Sequence, residues 1–343
     1  MRPMIFLLVL GALAVGIGSS LTSPTDASPP PAPPASAALA PDFWGHWGDG
    51  KAELSGYALR YPRYGKVRTG TAVTIFVNEE FAESVRVKNE DSSRPASEIY
   101  PVMKLNWIQD FPTGIYDYSL MTSAFATLAP HGGRPAGTTT KVSFSSQEWC
   151  GHVYAQLLFN DRGANLTSHS YFDGEADQSL TLPHPDGGLP EDSVLLWARG
   201  FAGPSLEPGG STSVPVLRSL ERSRLLHIGL GWQTATASRS KESRTLEVPA
   251  GTFAVDTYTL AIPAGRAKKS YPLGRGEVDV AASTWTIEVE SAWPHRVIRW
   301  GRDDGLEAVL VGSDRLPYWS MNGPGFESAL EKIGLEARPP RTP

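Results

Sequence analysis

The sequence predicts a mainly β protein, built on one strongly curved antiparallel sheet with a few short helices. Two observations predict this fold class. From Phe43 onward, apolar and polar residues mostly alternate with a period of two, as in strands with one buried face. The 343 residues also include 34 Gly and 29 Pro, which break helices and mark turns. A sheet of about ten strands, as expected here, would curl or close rather than stay flat.

The composition excludes several classes of protein. Hydrophobic residues make up 41% of the chain, which is enough for a core and excludes wholesale disorder. The net charge of -5 supplies no positive field for nucleic acid. A single Cys rules out a disulfide framework and a Cys-rich zinc site. We therefore expect no nucleic-acid partner, no metal and no cofactor.

The amino terminus has the composition of an export signal. Arg2 precedes an apolar run over residues 4–18, and small residues follow at Ser19 and Ser20. The run is shorter than the roughly 20 residues that a membrane-spanning helix needs. We therefore expect residues 1–20 to be a cleaved signal peptide, with an uncleaved anchor as the alternative. The mature protein would be periplasmic or at the cell surface, in peripheral contact with the membrane at most.

Three further segments follow from composition. Residues 21–42 are rich in Pro, Ala and Ser, cannot bury apolar surface and are predicted to be an extended linker. Residues 43–335 are predicted to form a single β-rich domain. Residues 336–343 are predicted to be a flexible tail.

In the first half of the domain, the alternation predicts a series of strands. Residues 52–61 and 68–78 would pair around a Pro-Arg-Tyr-Gly turn, and in the second strand Val73, Ile75 and Val77 share one face. The further predicted strands cover residues 102–111, 114–128, 139–144, 153–159 and 166–172.

The second half begins with a predicted short helix over residues 189–201. Its early Glu191 and Asp192 suit the positive end of a helix dipole. Strands follow over 252–262, 284–290, 296–300 and 306–311, and a last short helix over 326–333. The cleanest alternation is at 284–290, where Trp285, Ile287 and Val289 would face inward and Glu288 and Glu290 would face water.

Four short motifs occur in a characteristic order. They are the Gly-x-Ala step at 70–75, the helix at 191–201, the turn at 248–253 and Pro294-His295-Arg296 at the end of a late strand. In this order, over about residues 52–312, the chain resembles a family of exported Gram-negative proteins of unknown function related in fold to the LolA/LolB lipoprotein carriers. The resemblance implies an incomplete barrel wrapped around helices, with an apolar concave face that binds lipid or acyl chains. The chain departs from those carriers in lacking a lipobox Cys and in its longer first half.

The predicted ligand site is this concave face. Only two short helices are visible to cover a large curved sheet, and uncovered apolar surface usually marks a binding site. We expect the inward residues of an early and a late strand to line it together: Val73, Ile75, Val77, Trp285, Ile287 and Val289. Its ligand would be an apolar small molecule or acyl chain, and envelope proteins are further candidate partners.

One pair of residues is a candidate for covalent chemistry. Trp149-Cys150-Gly151-His152 copies the start of the thioredoxin-type motif, but Val153 stands where the resolving Cys would be. Positions i and i+2 of a strand share a face, so Cys150 and His152 could act together. The sequence thus favours a non-catalytic exported envelope protein that binds or carries an apolar ligand. An envelope enzyme using Cys150 and His152, or a structural module using an exposed sheet edge, are the alternatives.

Overall fold

The computed structural model describes residues 42–160, 163–270 and 276–337. The predicted signal peptide, the predicted linker apart from Asp42, and residues 338–343 of the predicted tail lie outside the described residues. The strands of the first half are β1 (Ala52–Arg63), β2 (Lys66–Ala82), β3 (Val87–Lys88), β4 (Ile99–Pro112), β5 (Asp117–Thr127), β6 (Thr139–Glu148), β7 (Gly151–Asn160), β8 (Gly163–Ser170) and β9 (Gln178–Leu182).

The second half continues the same pattern of strands. Its strands are β10 (Leu189–Pro190), β11 (Ser211–Leu217), β12 (Trp232–Arg239), β13 (Arg244–Val248), β14 (Gly251–Ile262), β15 (Gly265–Lys268), β16 (Glu277–Val280), β17 (Ser283–Glu290), β18 (Val297–Arg302) and β19 (Glu307–Leu316). The α-helices are α1 (Phe43–Trp47), α2 (Val194–Ala198) and α3 (Leu220–Leu226). Four 3-10 turns cover Ala96–Glu98, Glu191–Ser193, Tyr318–Ser320 and Glu327–Ile333.

Seventeen of the described strands form one sheet, which confirms the predicted mainly β fold class but exceeds the expected number of strands. The sheet runs in the order β10-β11-β12-β14-β17-β18-β19-β1-β2-β4-β5-β6-β7-β8-β9, with β13 beside β14 and β3 beside β2. Among the described pairings, all are antiparallel except the two-residue pair of β10 with β11. Near its centre, β1 pairs with β19, with Glu53 opposite Arg315.

The sheet wraps around its own helices. The interior segment, Glu191–Ala198, contacts β5 and β6 on one side and β17 on the other, although six strands separate β6 from β17 in the sheet. All five residues of α2 are at most 1% exposed. The strands at the two ends of the sheet, β9 and β10, are not hydrogen-bonded to each other. The result is an incomplete barrel with a filled interior.

The outer face of β1, β2 and β19 is covered by the carboxy-terminal residues. A Cβ at Gly56 would lie 2.3 Å from the carbonyl oxygen of Ile333, and one at Gly312 would lie 2.5 Å from the nitrogen of Gly334. Both strands therefore need glycine where the 3-10 turn Glu327–Ile333 crosses them. This contact buries a separate apolar cluster on the outside of the sheet.

The barrel has two distinct ends. The tip end carries the turns that connect β1 to β2, β4 to β5, β6 to β7 and β8 to β9. The cleft end carries α1, the loop at 128–138, the loop at 199–210 after α2, and the turn between β17 and β18. Antiparallel pairing fixes this division, because successive turns of a meander alternate between the two ends.

Two expectations for the second half need correction or extension. Glu288 was expected to face water but is 2% exposed, because it lies on the outer face between Arg244 and Arg299. The helix predicted over 189–201 exists as a 3-10 turn followed by α2, whereas α1 and α3 were not predicted.

Candidate functional site

Buried acids tie the interior segment to its surroundings. Glu191 accepts hydrogen bonds from the Trp285 indole at 2.7 Å and from the backbone nitrogen of Ser219 at 3.0 Å. Both oxygens of Asp192 accept from the backbone nitrogen of Leu220 at 3.2 Å, at the start of α3. Burial, with the charge of Glu191 adding to it, raises the pKa of Asp192 well above its ordinary value. These contacts make the interior a packed structural unit.

The structure does not bring the six predicted ligand residues together. Trp285, Ile287 and Val289 face inward as expected, but each is at most 2% exposed and packs in the main core around α2. Val73, Ile75 and Val77 lie on the opposite face of the sheet, against the carboxy-terminal residues. The expected open surface shared by both sets is therefore absent from the part of the chain that the structure describes. A binding role for either set stays a prediction.

The candidate reactive pair sits at the tip end. Cys150 is exposed and lies in the turn between β6 and β7, where its backbone nitrogen donates to Glu148 at 2.6 Å. His152 is exposed on β7, opposite Gln147. Because Cys150 is in the turn, the same-face argument for two strand residues does not apply to this pair.

The larger of two described cavities opens at the cleft end and has a volume of about 310 Å³. It lies between α1, the two loops of this end, the edges of β12 and β14, and the turn after β17. Four of its lining residues are small, Ala136 and Gly137 on one loop and Gly200 and Gly203 on the other, and the two loops contact each other where the nitrogen of Gly203 donates to the carbonyl of Gly137 at 3.1 Å. Gly200 and Gly203 have φ values of 79° and 64°, a backbone conformation that favours glycine.

Aromatic side chains form much of the cleft wall. The Phe43 ring lies 6.4 Å from Phe201 and 6.4 Å from Trp293, measured between centroids. Trp197 meets Tyr258 edge-on at 5.6 Å and donates from its indole nitrogen to the carbonyl of Pro204 at 3.1 Å. Trp293 is 38% exposed at the mouth, whereas Phe43 and Trp197 are buried. The cleft thus has packed aromatic rings in its wall and an accessible opening.

Each charged side chain of the cleft wall has an opposite charge beside it. Arg199 makes two hydrogen bonds with the Glu53 carboxylate, at 2.6 and 3.0 Å, and both side chains are buried. Arg239 lies 2.7 Å from Asp256, and Glu290 lies 2.8 Å from Arg296. The cleft therefore presents no uncompensated charge to a ligand.

Burial shapes the titration of the cleft wall. It raises the pKa of Tyr258, although the nearby Arg239 charge opposes the change. For Asp256, burial is outweighed by hydrogen bonds from Ser243, Arg239 and Ser291, so the pKa of this carboxyl is lowered. Both groups consequently keep their ordinary charge states at neutral pH: a neutral phenol and a carboxylate paired with its arginine.

Two donors of the cleft wall have no hydrogen-bond partner among the described residues. They are the buried Nε atoms of Arg199 and Arg239. Their other nitrogens are occupied, since Arg199 also donates to the carbonyl of Pro294 at 2.9 Å and Arg239 to that of Leu206 at 3.0 Å. Because both Nε atoms are buried, they do not line the open space of the cleft.

The second cavity is smaller and lies beside the opening of the sheet. Its volume is about 90 Å³, and it is bounded by β7, β8, β9 and α3. The charged groups there bind one another: Glu175 accepts from Ser270 at 2.6 Å and pairs with His227 at 2.8 Å. Within the described ranges, no group of three potential ligands could hold a metal ion. No described helix is long and apolar enough to cross a membrane.

Sequence reasoning did not find the cleft as a whole, although one of its lining residues, Val289, is among the six predicted ligand residues. The residues of the cleft come from six separate segments, and none of them forms a motif by spacing. Two signals were nevertheless available. The Gly-Phe-Ala-Gly-Pro run at 200–204 follows α2 closely and is rich in residues that favour a tight loop. Pro294-His295-Arg296 is in the turn that forms the mouth, not at a strand end.

Comparisons with known proteins give a likeness to a solved structure but no family. No family model matches the chain, and no curated protein matches it. A similar solved structure is the crystal structure of a beta-barrel-like protein of domain of unknown function DUF1849 from Brucella abortus, at a TM-score of 0.41 and 11% identity. The likeness covers 77% of this chain and 98% of that chain.

Proposed function

We propose that this chain is a non-catalytic, exported protein of the bacterial cell envelope that binds or carries an apolar or amphiphilic ligand in the cleft. The observation that carries the proposal is a preformed space of about 310 Å³ with aromatic walls and fully paired charges. Small-molecule sites typically enclose about 300–1,000 Å³ and are mostly apolar with a few placed polar groups. Because the wall has no net charge, an uncharged group is favoured inside it.

The aromatic walls favour a ligand whose apolar part fits the space. The Nε atoms of Arg199 and Arg239 are buried away from that space, so a polar end of the ligand would stay at the mouth, near the exposed Trp293. The remainder of the ligand would lie against Phe43, Trp197 and Trp293 and gain about 25 cal/mol for each Å² of apolar surface removed from water. An acyl ester has this combination of groups.

Export and carriage rest on the sequence. The apolar run at 4–18 and the small residues after it are typical of a secretory signal. The order of motifs resembles relatives of the LolA/LolB carriers, which implies transport of acylated molecules. The cleft differs from the concave face expected from that resemblance, because α2 fills the interior and leaves space only at one end.

A cavity-filling variant tests the proposal. Delipidated full-length protein is titrated with the uncharged probe N-phenyl-1-naphthylamine, and its fluorescence is followed. Ala136→Trp places an indole in the cleft and should weaken probe binding by about tenfold or more, the effect of about 1.4 kcal/mol. The matched control is Ala281→Trp, an exposed position between β16 and β17 at the tip end.

The proposal fails if the delipidated wild type shows no saturable probe uptake. It also fails if Ala136→Trp and Ala281→Trp weaken uptake equally while both remain folded by circular dichroism. If instead the probe binds and Ala136→Trp alone weakens it, native mass spectrometry of the cell-derived protein would give the mass of the natural ligand.

A further inference from the structure

Three hairpin turns at the tip end expose large apolar side chains. Tyr64 stands in the turn between β1 and β2, Ile115 precedes β5, and Trp149 lies between β6 and β7. Ile115 is 84% exposed, Trp149 72% and Tyr64 54%. Single exposed apolar residues are ordinary, but a cluster of them at one end of a molecule marks a contact surface.

The exposed side chains form one continuous feature. Tyr116 links them, because its ring stacks on Trp149 at 5.9 Å between centroids and its hydroxyl lies 3.4 Å from that of Tyr64. We call Tyr64, Ile115, Tyr116 and Trp149 the tip ridge. Three turns that are distant in sequence thus contribute to one surface.

Buried contacts beneath the tip ridge fix its shape. The Tyr64 hydroxyl is 2.7 Å from that of the buried Tyr118, and Arg63 donates to the same Tyr118 hydroxyl at 3.1 Å. The turn that carries Trp149 is held by the buried Glu148, which accepts from the Cys150 nitrogen at 2.6 Å. The ridge is therefore presented by ordered turns, so docking costs little further ordering.

The charge beside the tip ridge is positive. The β1–β2 hairpin carries Arg63, Lys66 and Arg68, and none of these forms an ion pair with an acid in the described part of the chain. The exposed acid on the three ridge turns is Asp117, at the start of β5. Acids also lie on the flanking turns, at 171–177 beyond Trp149 and at Asp303 and Asp304 beside the β1–β2 turn, where Asp304 pairs with Arg302. The basic patch is therefore confined to the β1–β2 hairpin.

We propose that the tip ridge docks the protein onto an anionic lipid surface. Trp and Tyr prefer the boundary between water and hydrocarbon, since their rings are apolar and their polar atoms keep hydrogen-bonding. Lys66 and its two basic neighbours complement anionic headgroups. The ridge consists of separate turn tips and not of an unpaired strand edge, which is what a partner strand would need. The proposal stands independently of the ligand, because the cleft is at the other end.

The chain carries its own reporter for this contact. Cys150 is its single cysteine, is exposed, and follows Trp149 directly. Full-length protein labelled there with a nitrobenzoxadiazole dye is mixed with phosphatidylcholine vesicles, with or without phosphatidylglycerol. We expect a blue shift of dye emission and quenching by doxyl-labelled lipid, stronger with phosphatidylglycerol. The control carries Cys150→Ser and Ser205→Cys, which moves the dye to the exposed cleft end and should show neither effect.

Substitutions then assign the contact to the tip ridge. The dye signal measures binding at this site, whatever the apolar run at 4–18 does. Trp149→Ser should weaken vesicle binding about tenfold, and Lys66→Ala about fivefold on anionic vesicles with no loss on neutral ones. The matched control, Trp319→Ser, removes an exposed Trp away from the ridge and should change nothing. The proposal is overturned if dye at Cys150 stays in water while the protein sediments with vesicles. The proposal would also be overturned if the dye signal appeared in the absence of lipid and was lost in Trp149→Ser, because the ridge would then mediate self-association.

Discussion

The cleft end and the tip end both use aromatic side chains, but in opposite ways. At the cleft end Phe43, Trp47 and Trp197 are buried at 2% exposure or less, and the arginine beside them is paired. At the tip end Trp149 points into water, and the nearby cations have no acidic partner among the described residues. Residues of the cleft wall thus belong to the core of the fold, whereas residues of the tip ridge lie on its surface. Substitutions at the cleft end should therefore lower the free energy of unfolding, and substitutions at the tip end should weaken only the binding of a partner surface.

The largest loss of stability is expected from Arg199→Met. The change would leave the Glu53 carboxylate buried without its cation and the Pro294 carbonyl without its donor. We expect the free energy of unfolding to fall by about 3–5 kcal/mol, measured by urea denaturation. Arg266→Met is the control, because its ion pairs with Glu277 and Asp279 are exposed and should contribute less than about 1 kcal/mol. Equal losses from both variants would contradict the comparison.

Trp285→Phe tests the hydrogen-bonded interior between the two ends. Phenylalanine keeps most of the apolar contact with Trp107 but removes the indole donor to Glu191. Leaving that buried oxygen less satisfied should cost about 1–3 kcal/mol in denaturant melts. Trp319→Phe, at an exposed position, is expected to be neutral. Neutral behaviour of Trp285→Phe as well would mean that Glu191 is not held by this bond.

Asp192→Asn should change how stability depends on pH. Burial and the charge of Glu191 raise the folded-state pKa of Asp192. Between the ordinary carboxyl pKa and this raised value, Asp192 is protonated in the folded chain but ionised in the unfolded chain. The wild type then loses stability as pH rises from about 4 toward the folded pKa, at up to about 1.4 kcal/mol per pH unit from this group. The Asn variant can still accept from Leu220 and should lack this contribution. If the curves of unfolding free energy against pH ran parallel for the wild type and Asp192→Asn, the prediction would be wrong.

The smallest stability effects are expected at the tip end. Trp149→Ser and Cys150→Ser change exposed turn residues, so each should alter the free energy of unfolding by no more than about 0.5 kcal/mol. Thermal melts of both variants beside the wild type provide the measurement. A loss comparable to that of Trp285→Phe would show that the turn is part of the cooperative core and would remove the contrast between the ends.

The sequence predicts which residues share a face of a strand, but not which face is inside. Trp285, Ile287 and Val289 share the inner face of β17, and Val73, Ile75 and Val77 share the outer face of β2. Apolar and polar residues alternate with the same period whichever face of the sheet is buried. The alternation therefore cannot distinguish the main core from the second apolar cluster, which the carboxy-terminal residues cover on the outer face. In β2 the inner positions are Thr74 and Phe76, both at most 1% exposed, and Thr74 gave no apolar signal.

The strands missed by sequence reasoning are mostly polar. β9 (Gln178–Leu182), β11 (Ser211–Leu217) and β12 (Trp232–Arg239) are rich in Ser and Thr. No residue of β9 is buried, β12 buries two alanines, and β11 buries larger side chains at its end. Such segments give weak alternation although their backbones pair fully. The cleft and the tip ridge were beyond prediction for a different reason: each joins side chains from several turns, and only the register of the sheet decides which turns meet.

The pairing of β1 with β19 has a consequence for how the protein acquires its structure. Glu53 and Arg315 lie opposite each other near the middle of the sheet, although most of the chain separates them. Contacts of such high sequence separation slow folding, because the entropy of closing the intervening loop must be lost first. During synthesis, β2 follows β1 directly and can pair with it early, whereas β19, the other partner of β1, is the last described strand to be made. Chains truncated before Glu307 lack β19, so β1 would stay an unpaired edge strand and the chains should aggregate. The fold is therefore protected from edge-to-edge aggregation only once the last described strand has been made.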